Sequence, residues 1–195
     1  MKVYKTNEIK NIAILGNAGS GKTTLAEAML FECGLIKRRG TVDGKNTVSD
    51  YFPVEKEYGY SVFPTVFSYE WKDKLMTFID CPGSDDFVGG VVTALNVTDM
   101  ALMLIDAASG VEVGTVNQFR HVDDLKKPLV LLINQLDHEK ADYDNTLSSL
   151  KEFYGSKVVP VQYPVGSGAS FDGIVDVLKQ KLYKWKPGAT APDVL

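Results

Sequence analysis

Nine consecutive residues, Gly16-Asn17-Ala18-Gly19-Ser20-Gly21-Lys22-Thr23-Thr24, carry the spacing G-x-x-x-x-G-K-[ST]. Residues of these types in this order hold polyphosphate. Glycines at 16, 19 and 21 permit the backbone angles and the close approach by which successive N–H groups wrap an anion. Lys22 supplies a point charge to the outer phosphates from a wet pocket, and the Thr23 hydroxyl supplies one oxygen to Mg²⁺, an ion that recruits few protein ligands. The motif needs a strand before it and a helix after it. Ile12-Ala13-Ile14-Leu15 is a short apolar run, and Leu25, Ala28 and Met29 follow at helical spacing. The helix opening near Lys22 points its positive end at the same anion.

Two later segments narrow the nucleotide. Leu75 to Asp80 reads as a strand, and Asp80-Cys81-Pro82-Gly83 gives D-x-x-G, in which Asp80 would hold Mg²⁺ through a water and the Gly83 N–H would meet a γ-phosphate. A second apolar run, Leu129 to Ile133, ends in Asn134-Gln135-Leu136-Asp137, which resembles the guanine-reading N-K-x-D of GTPases. A carboxylate accepts two hydrogen bonds from the N1–H and exocyclic amine of guanine, a donor pair that adenine lacks. Asp137 is the expected selectivity residue.

The wording of several segments is similar to the start of bacterial elongation factor G. These are Lys10-Asn11-Ile12-Ala13-Ile14, Asp106-Ala107-Ala108-Ser109-Gly110-Val111-Glu112-Val113, Pro160 to Gly166, and Phe171-Asp172-Gly173-Ile174-Val175-Asp176. The resemblance covers essentially the whole chain, and the run from Gly40 to Asp50 looks most like the divergent paralogues of that factor. It implies a P-loop NTPase G domain that binds GTP and GDP with Mg²⁺. It also implies a cytoplasmic, monomeric translational GTPase whose partner, met through the full-length factor, is the ribosome and its RNA at the GTPase centre, with no membrane and no DNA. Residues 1–161 would be the G domain, with switch I at about 35–61 and switch II at about 80–90, and 162–195 the start of an inserted subdomain. The loop that contacts guanine O6 in the family does not occur before Leu195, which implies either a piece of a longer protein or an incomplete base site.

Four departures from the family pattern matter. The Thr that closes over Mg²⁺ is Ser61, and the catalytic His after the D-x-x-G glycine is Ser84. Gln135 stands where a Lys stacks over the base, and Gly19 where an Asp helps bind a monovalent cation. Serine is shorter than His and cannot carry positive charge. The resemblance therefore implies nucleotide binding at Gly16 to Thr24, Gly83, Asn134, Gln135 and Asp137, and metal binding at Thr23, Ser61 and Asp80. Turnover would be weakened at Ser84.

The remaining elements serve to place these residues. Alternating strands and helices predict an α/β domain built on a mostly parallel, doubly wound sheet with one antiparallel edge hairpin at Trp71-Lys72-Asp73-Lys74. Strands are expected near 11–15, 62–71, 74–79, 101–106, 129–133 and 158–161, and helices near 22–33, 87–96, 113–125 and 140–154. The polar stretch Leu35 to Tyr60 is too long for an ordinary connection and reads as a mobile switch loop. From Gln162 the rhythm breaks, and Leu182 to Trp185 alternates like a short strand before Pro187-Gly188.

A chain of 195 residues, 45% hydrophobic, suffices for a well-buried core, and a net charge of -4 excludes a general polyanion-coating role. A ribosomal partner would have to be met by local basic patches, and Lys37-Arg38-Arg39 in the expected switch loop is one candidate. Met1 to Lys10 is polar, and no apolar run approaches the length of a membrane span. Cys33 and Cys81 form neither a disulfide framework nor a zinc spacing; Cys33 is expected in the core and Cys81 exposed in the switch turn. His121 and His138 lie far in sequence from the phosphate motifs. Three readings stand: a ribosomal translocase that hydrolyses GTP, a ribosome factor in which GTP is a conformational ligand hydrolysed slowly or not at all, and an unrelated P-loop kinase or ATPase.

Overall fold

The computed structural model describes residues 2–186, 189 and 191–195. The chain divides into two units, residues 1–105 with 112–132, and residues 106–111 with 133–195.

The first unit is organised by β1 (Ile9–Gly16), whose residues 12 to 15 are all apolar and buried. A strand apolar on both faces has to be covered on both, which suits the centre of a parallel sheet. β1 indeed lies between β3 (Lys74–Asp80) and β4 (Met100–Asp106), parallel to each, in the order β2-β3-β1-β4-β5, with β2 at Thr65–Trp71 and β5 at Leu129–Asn134. β2 runs antiparallel to β3, as the hairpin signal requires. Its turn residues Lys72 and Asp73 have φ of 47° and 60°, the two positive values of a type I′ turn. Ile12, Ile14, Ala26, Leu30, Phe67, Phe78 and Leu104 form the core on one face, joining the sheet to α1 (Lys22–Glu32). α3 (Val88–Val97) and α4 (Val113–Asp124) complete the unit.

The weakly patterned stretch expected as a switch loop has a hydrogen-bonded structure of its own, a strap. It contains a short helix, α2 (Pro53–Tyr58), with Pro at its first position and Gly59 ending it in the left-handed region. Two buried carboxylates collect its amides. Glu27 of α1 accepts from the Gly40 N–H at 2.7 Å and from the Val48 N–H, and Glu55 accepts from Phe52, Val62 and Phe63 at 3.2, 3.0 and 3.0 Å. Composition hides this, because an isolated Glu in sequence reads as a solvated charge, whereas here both are 1% exposed.

In the second unit, α5 (Tyr143–Tyr154) begins at Asp142, whose side chain caps the Asn145 N–H, and buries Leu147, Leu150 and Tyr154 at spacings of three and four. The strand expected at 158–161 is absent. The chain leaves α5 through a 3₁₀ turn at Gly155–Lys157, and Pro160, which has no N–H to donate, precedes a strand that starts only at Gln162. That strand, β6 (Gln162–Val165), opens a separate antiparallel sheet with β7 (Gly173–Asp176), β8 (Lys181–Lys184) and β9 (Asp193–Val194). The expected strand near 182–185 is thus present as β8, and the Pro187-Gly188 break lies outside the described residues.

Candidate functional site

The end of β1 and the start of α1 place the phosphate motif as a loop between strand and helix. Gly16 has φ +137°, and a Cβ there would stand 2.5 Å from the Leu104 carbonyl oxygen, so only glycine fits. Gly21 precedes the helix with φ 94°. Lys22 is not in a wet pocket, as its role in binding suggests, but 6% exposed. Its Nζ donates to the carbonyls of Gly16 and Asn17, both at 2.9 Å, and burial pulls its pKa down against the opposing pull of Asp80. Asn17 is half-buried, Ala18, Gly19 and Thr24 are exposed, and Ser20 is buried.

The three expected metal ligands converge. The Thr23 hydroxyl donates to Asp80 Oδ2 at 3.2 Å, and the Ser61 hydroxyl lies 3.3 Å from it. Ser61 spends its proton on Asp50 Oδ1 at 2.7 Å. With both hydroxyl protons turned toward carboxylates, the lone pairs of Thr23 and Ser61 face one another, and Asp80 Oδ1 is buried without a hydrogen-bond partner. Burial raises the Asp80 carboxyl to about 6, with Lys22 pulling the other way. Hydroxyl oxygens and an orphaned buried carboxylate oxygen are the donor set of a hard cation, so these residues fit Mg²⁺.

Asp50 is a member of this cluster that sequence reasoning missed. It is 5% exposed and accepts from Thr47 as well as Ser61, and burial pushes its pKa up. The only signal in the sequence was its position at the end of the polar run Gly40 to Asp50.

Gly83 follows β3 and is packed against the phosphate loop: a Cβ there would meet Lys22 Nζ at 2.5 Å and the Ala18 nitrogen at 2.7 Å. Cys81, expected to be exposed, is fully buried, and burial pushes its thiol up to about 12, so it is inert at neutral pH. Cys33, expected in the core, is half-buried. Ser84 is the cap of a 3₁₀ turn at Asp85–Phe87: its Oγ accepts the Asp86 N–H and donates to Asp86 Oδ2, each at 3.3 Å. Asn117 of α4 donates to Asp85 Oδ2 at 3.0 Å and ties that turn to the helix.

In the second unit, Asn134 ends β5, with its carbonyl accepting the Ala107 N–H at 2.9 Å. Gln135 follows with φ 59°, a rare conformation for a residue with a side chain, and starts the turn closed by the bond from His138 N–H to its carbonyl at 3.0 Å. Asp137 is in that turn and exposed. No helix among the described residues is long and apolar enough to cross a membrane.

Comparison with known proteins adds an independent line. The family model described as the elongation factor Tu GTP binding domain matches residues 7–186. An elongation factor G-like protein of Thermotoga maritima is 37% identical over 91% of this chain and 25% of its own length. Mitochondrial ribosome-releasing factor 2 of Danio rerio is 35% identical over 96% of this chain and 24% of its own, and elongation factor G of Petrotoga mobilis 34% over 94% and 26%. A crystal structure of a Thermus thermophilus protein superposes with a TM-score of 0.89 at 33% identity, covering 95% of this chain and 28% of that one. The chain spans about a quarter of the length of these relatives.

Proposed function

This chain belongs to the elongation factor Tu GTP-binding domain family, and from that premise we propose that it is the guanine-nucleotide site of an elongation factor G-like factor acting on the ribosome. The observation that carries the proposal is the convergence of Thr23, Ser61 and Asp80 beside the buried Lys22, with one oxygen of Asp80 left unpaired. The amides from Gly16 to Thr24 hold the phosphates, Lys22 neutralises their charge, and the Gly83 N–H meets the terminal phosphate. Thr23, Ser61 and Asp80 hold Mg²⁺, which when bound neutralises charge on the phosphate oxygens. Asn134, Gln135 and Asp137 read the base. The antiparallel sheet from Gln162 is the beginning of an inserted subdomain. The name of one relative, ribosome-releasing factor 2, supports a ribosomal partner; the factor itself is cytoplasmic and monomeric in this reading.

A second reading, nucleotide as conformational ligand with slow hydrolysis, is favoured by Ser84. Its hydroxyl is engaged by Asp86 in both directions, so it is committed to capping a turn and not to orienting water. Competition of GTP and ATP for a fluorescent guanine nucleotide tests the base preference. Single-turnover hydrolysis by the full-length protein, with and without ribosomes, separates the two readings; turnover at the rate of an ordinary elongation factor G overturns the second.

A further inference from the structure

Gln118 of α4 is 2% exposed, an unusual burial for a side-chain amide. Both ends of it are used on one residue. Its Oε1 accepts the Gly16 N–H at 2.7 Å, and its Nε2 donates to the Gly16 carbonyl at 3.3 Å. The N–H belongs to the peptide before Gly16 and the carbonyl to the peptide after it, so one side chain pins two successive peptide planes where the strand becomes the phosphate loop. Gly16 needs that restraint, because its φ of +137° lies in a region where glycine alone is free to move. The same carbonyl also accepts from Lys22 Nζ at 2.9 Å, so the orientation Gln118 imposes sets where the lysine is held.

We propose that Gln118, clipped to both sides of Gly16, is a positioning residue for polyphosphate binding: it presents the loop amides and Lys22 in the binding geometry before the ligand arrives. The inference rests on the phosphate-site reading given above, though not on the base being guanine. An isosteric apolar residue leaves the buried Gly16 N–H unpaired and lets the loop entry turn, a loss of preorganisation seen mainly in dissociation.

The test uses Gln118→Met and Gln118→Glu beside the wild type. Affinities for a fluorescent GDP analogue and for inorganic tripolyphosphate are measured from about pH 5.5 to about pH 8, together with melting in the absence of ligand. Gln118→Met is expected to weaken both ligands about 10-fold, chiefly through faster release. Gln118→Glu keeps the acceptor but sets a second oxygen against the Gly16 carbonyl, so it binds weakly at high pH. It recovers toward wild type as the pH falls, because the protonated carboxyl again offers one donor and one acceptor. Lys22, Asp80 and Asp50 on the phosphate-loop side and Arg120, His121 and Asp124 on α4 are common to both proteins, so the ratio to wild type at each pH isolates the new carboxyl. A purely structural role lowers the melting temperature while leaving affinities and the pH profile unchanged, and that result overturns the proposal. If the wild type binds tripolyphosphate but shows no preference for guanine, the reading of the base fails while the Gln118 effect on tripolyphosphate still supports the clip; a wild type that binds neither overturns both.

Discussion

The hydroxyl of Ser84 lies 3.3 Å from both the amide nitrogen and a carboxylate oxygen of Asp86. Ser84 directly follows the D-x-x-G glycine and uses its hydroxyl to cap the next turn. A positioned acid or base is worth about 10² to 10⁴ in rate. Ribosome-stimulated GTP hydrolysis by the full-length protein is therefore expected to fall short of an ordinary elongation factor G by a factor of that order. Ser84→His should raise the single-turnover rate while costing about 1 kcal/mol through the lost cap. A wild-type rate equal to that of an ordinary factor defeats the argument.

Asp137 is exposed in a turn, so replacing it should not disturb folding. Asp137→Asn loses a charged hydrogen-bond pair with guanine, about 1.5 to 3 kcal/mol, and should shift preference to xanthine nucleotides, which carry a carbonyl where guanine has an amine. Displacement of labelled nucleotide by GDP, XDP and ADP measures this directly. Equal displacement of the wild type by ADP and GDP would rule out the assigned role.

Glu27 joins α1 to the strap through the Gly40 and Val48 amides. Glu27→Ala leaves both without their acceptor, at about 1 to 3 kcal/mol for each amide that stays buried. Hydrogen exchange at Gly40 and Val48 should accelerate and cleavage of the segment 35–60 by protease should increase, while exchange in β1 stays slow. Unchanged exchange at both amides would mean that something other than Glu27 holds the strap.

Lys22→Ala removes the buried cation facing the phosphate loop. The Gly16 carbonyl still receives Gln118 Nε2, so the fold should survive. The rise in melting temperature that GDP and Mg²⁺ confer should vanish. Should the variant unfold while the wild type gains nothing from nucleotide, the loop is a structural turn and no binding site.

Much of the fold was legible because its signals are local. A buried strand announces itself by an unbroken apolar run, as at Ile12 to Leu15, and the β2–β3 turn by residues that tolerate positive φ. The phosphate loop was legible for the same reason, since strand, glycines, Lys22 and helix lie within a short stretch of chain. Where a local signal was weak the reading failed: Pro160 broke a strand expected across it, and the strap looked like loose chain because its restraints come from elsewhere.

The sequence by itself determined which chemical groups are present and which of them sit close together along the chain: the glycine loop with Lys22 and Thr23, the carboxylate that ends β3, and the Asn134 to Asp137 segment. It could not determine partnerships between residues far apart along the chain. Glu27 with Gly40 and Val48, Asp50 with Ser61, Asn117 with Asp85, and Gln118 with Gly16 across 102 positions exist only once the sheet is assembled. The physical reason is burial. A polar side chain in an unfolded chain satisfies itself with water, and only when packing removes the water must it find a particular protein atom, whose identity is set by the tertiary structure.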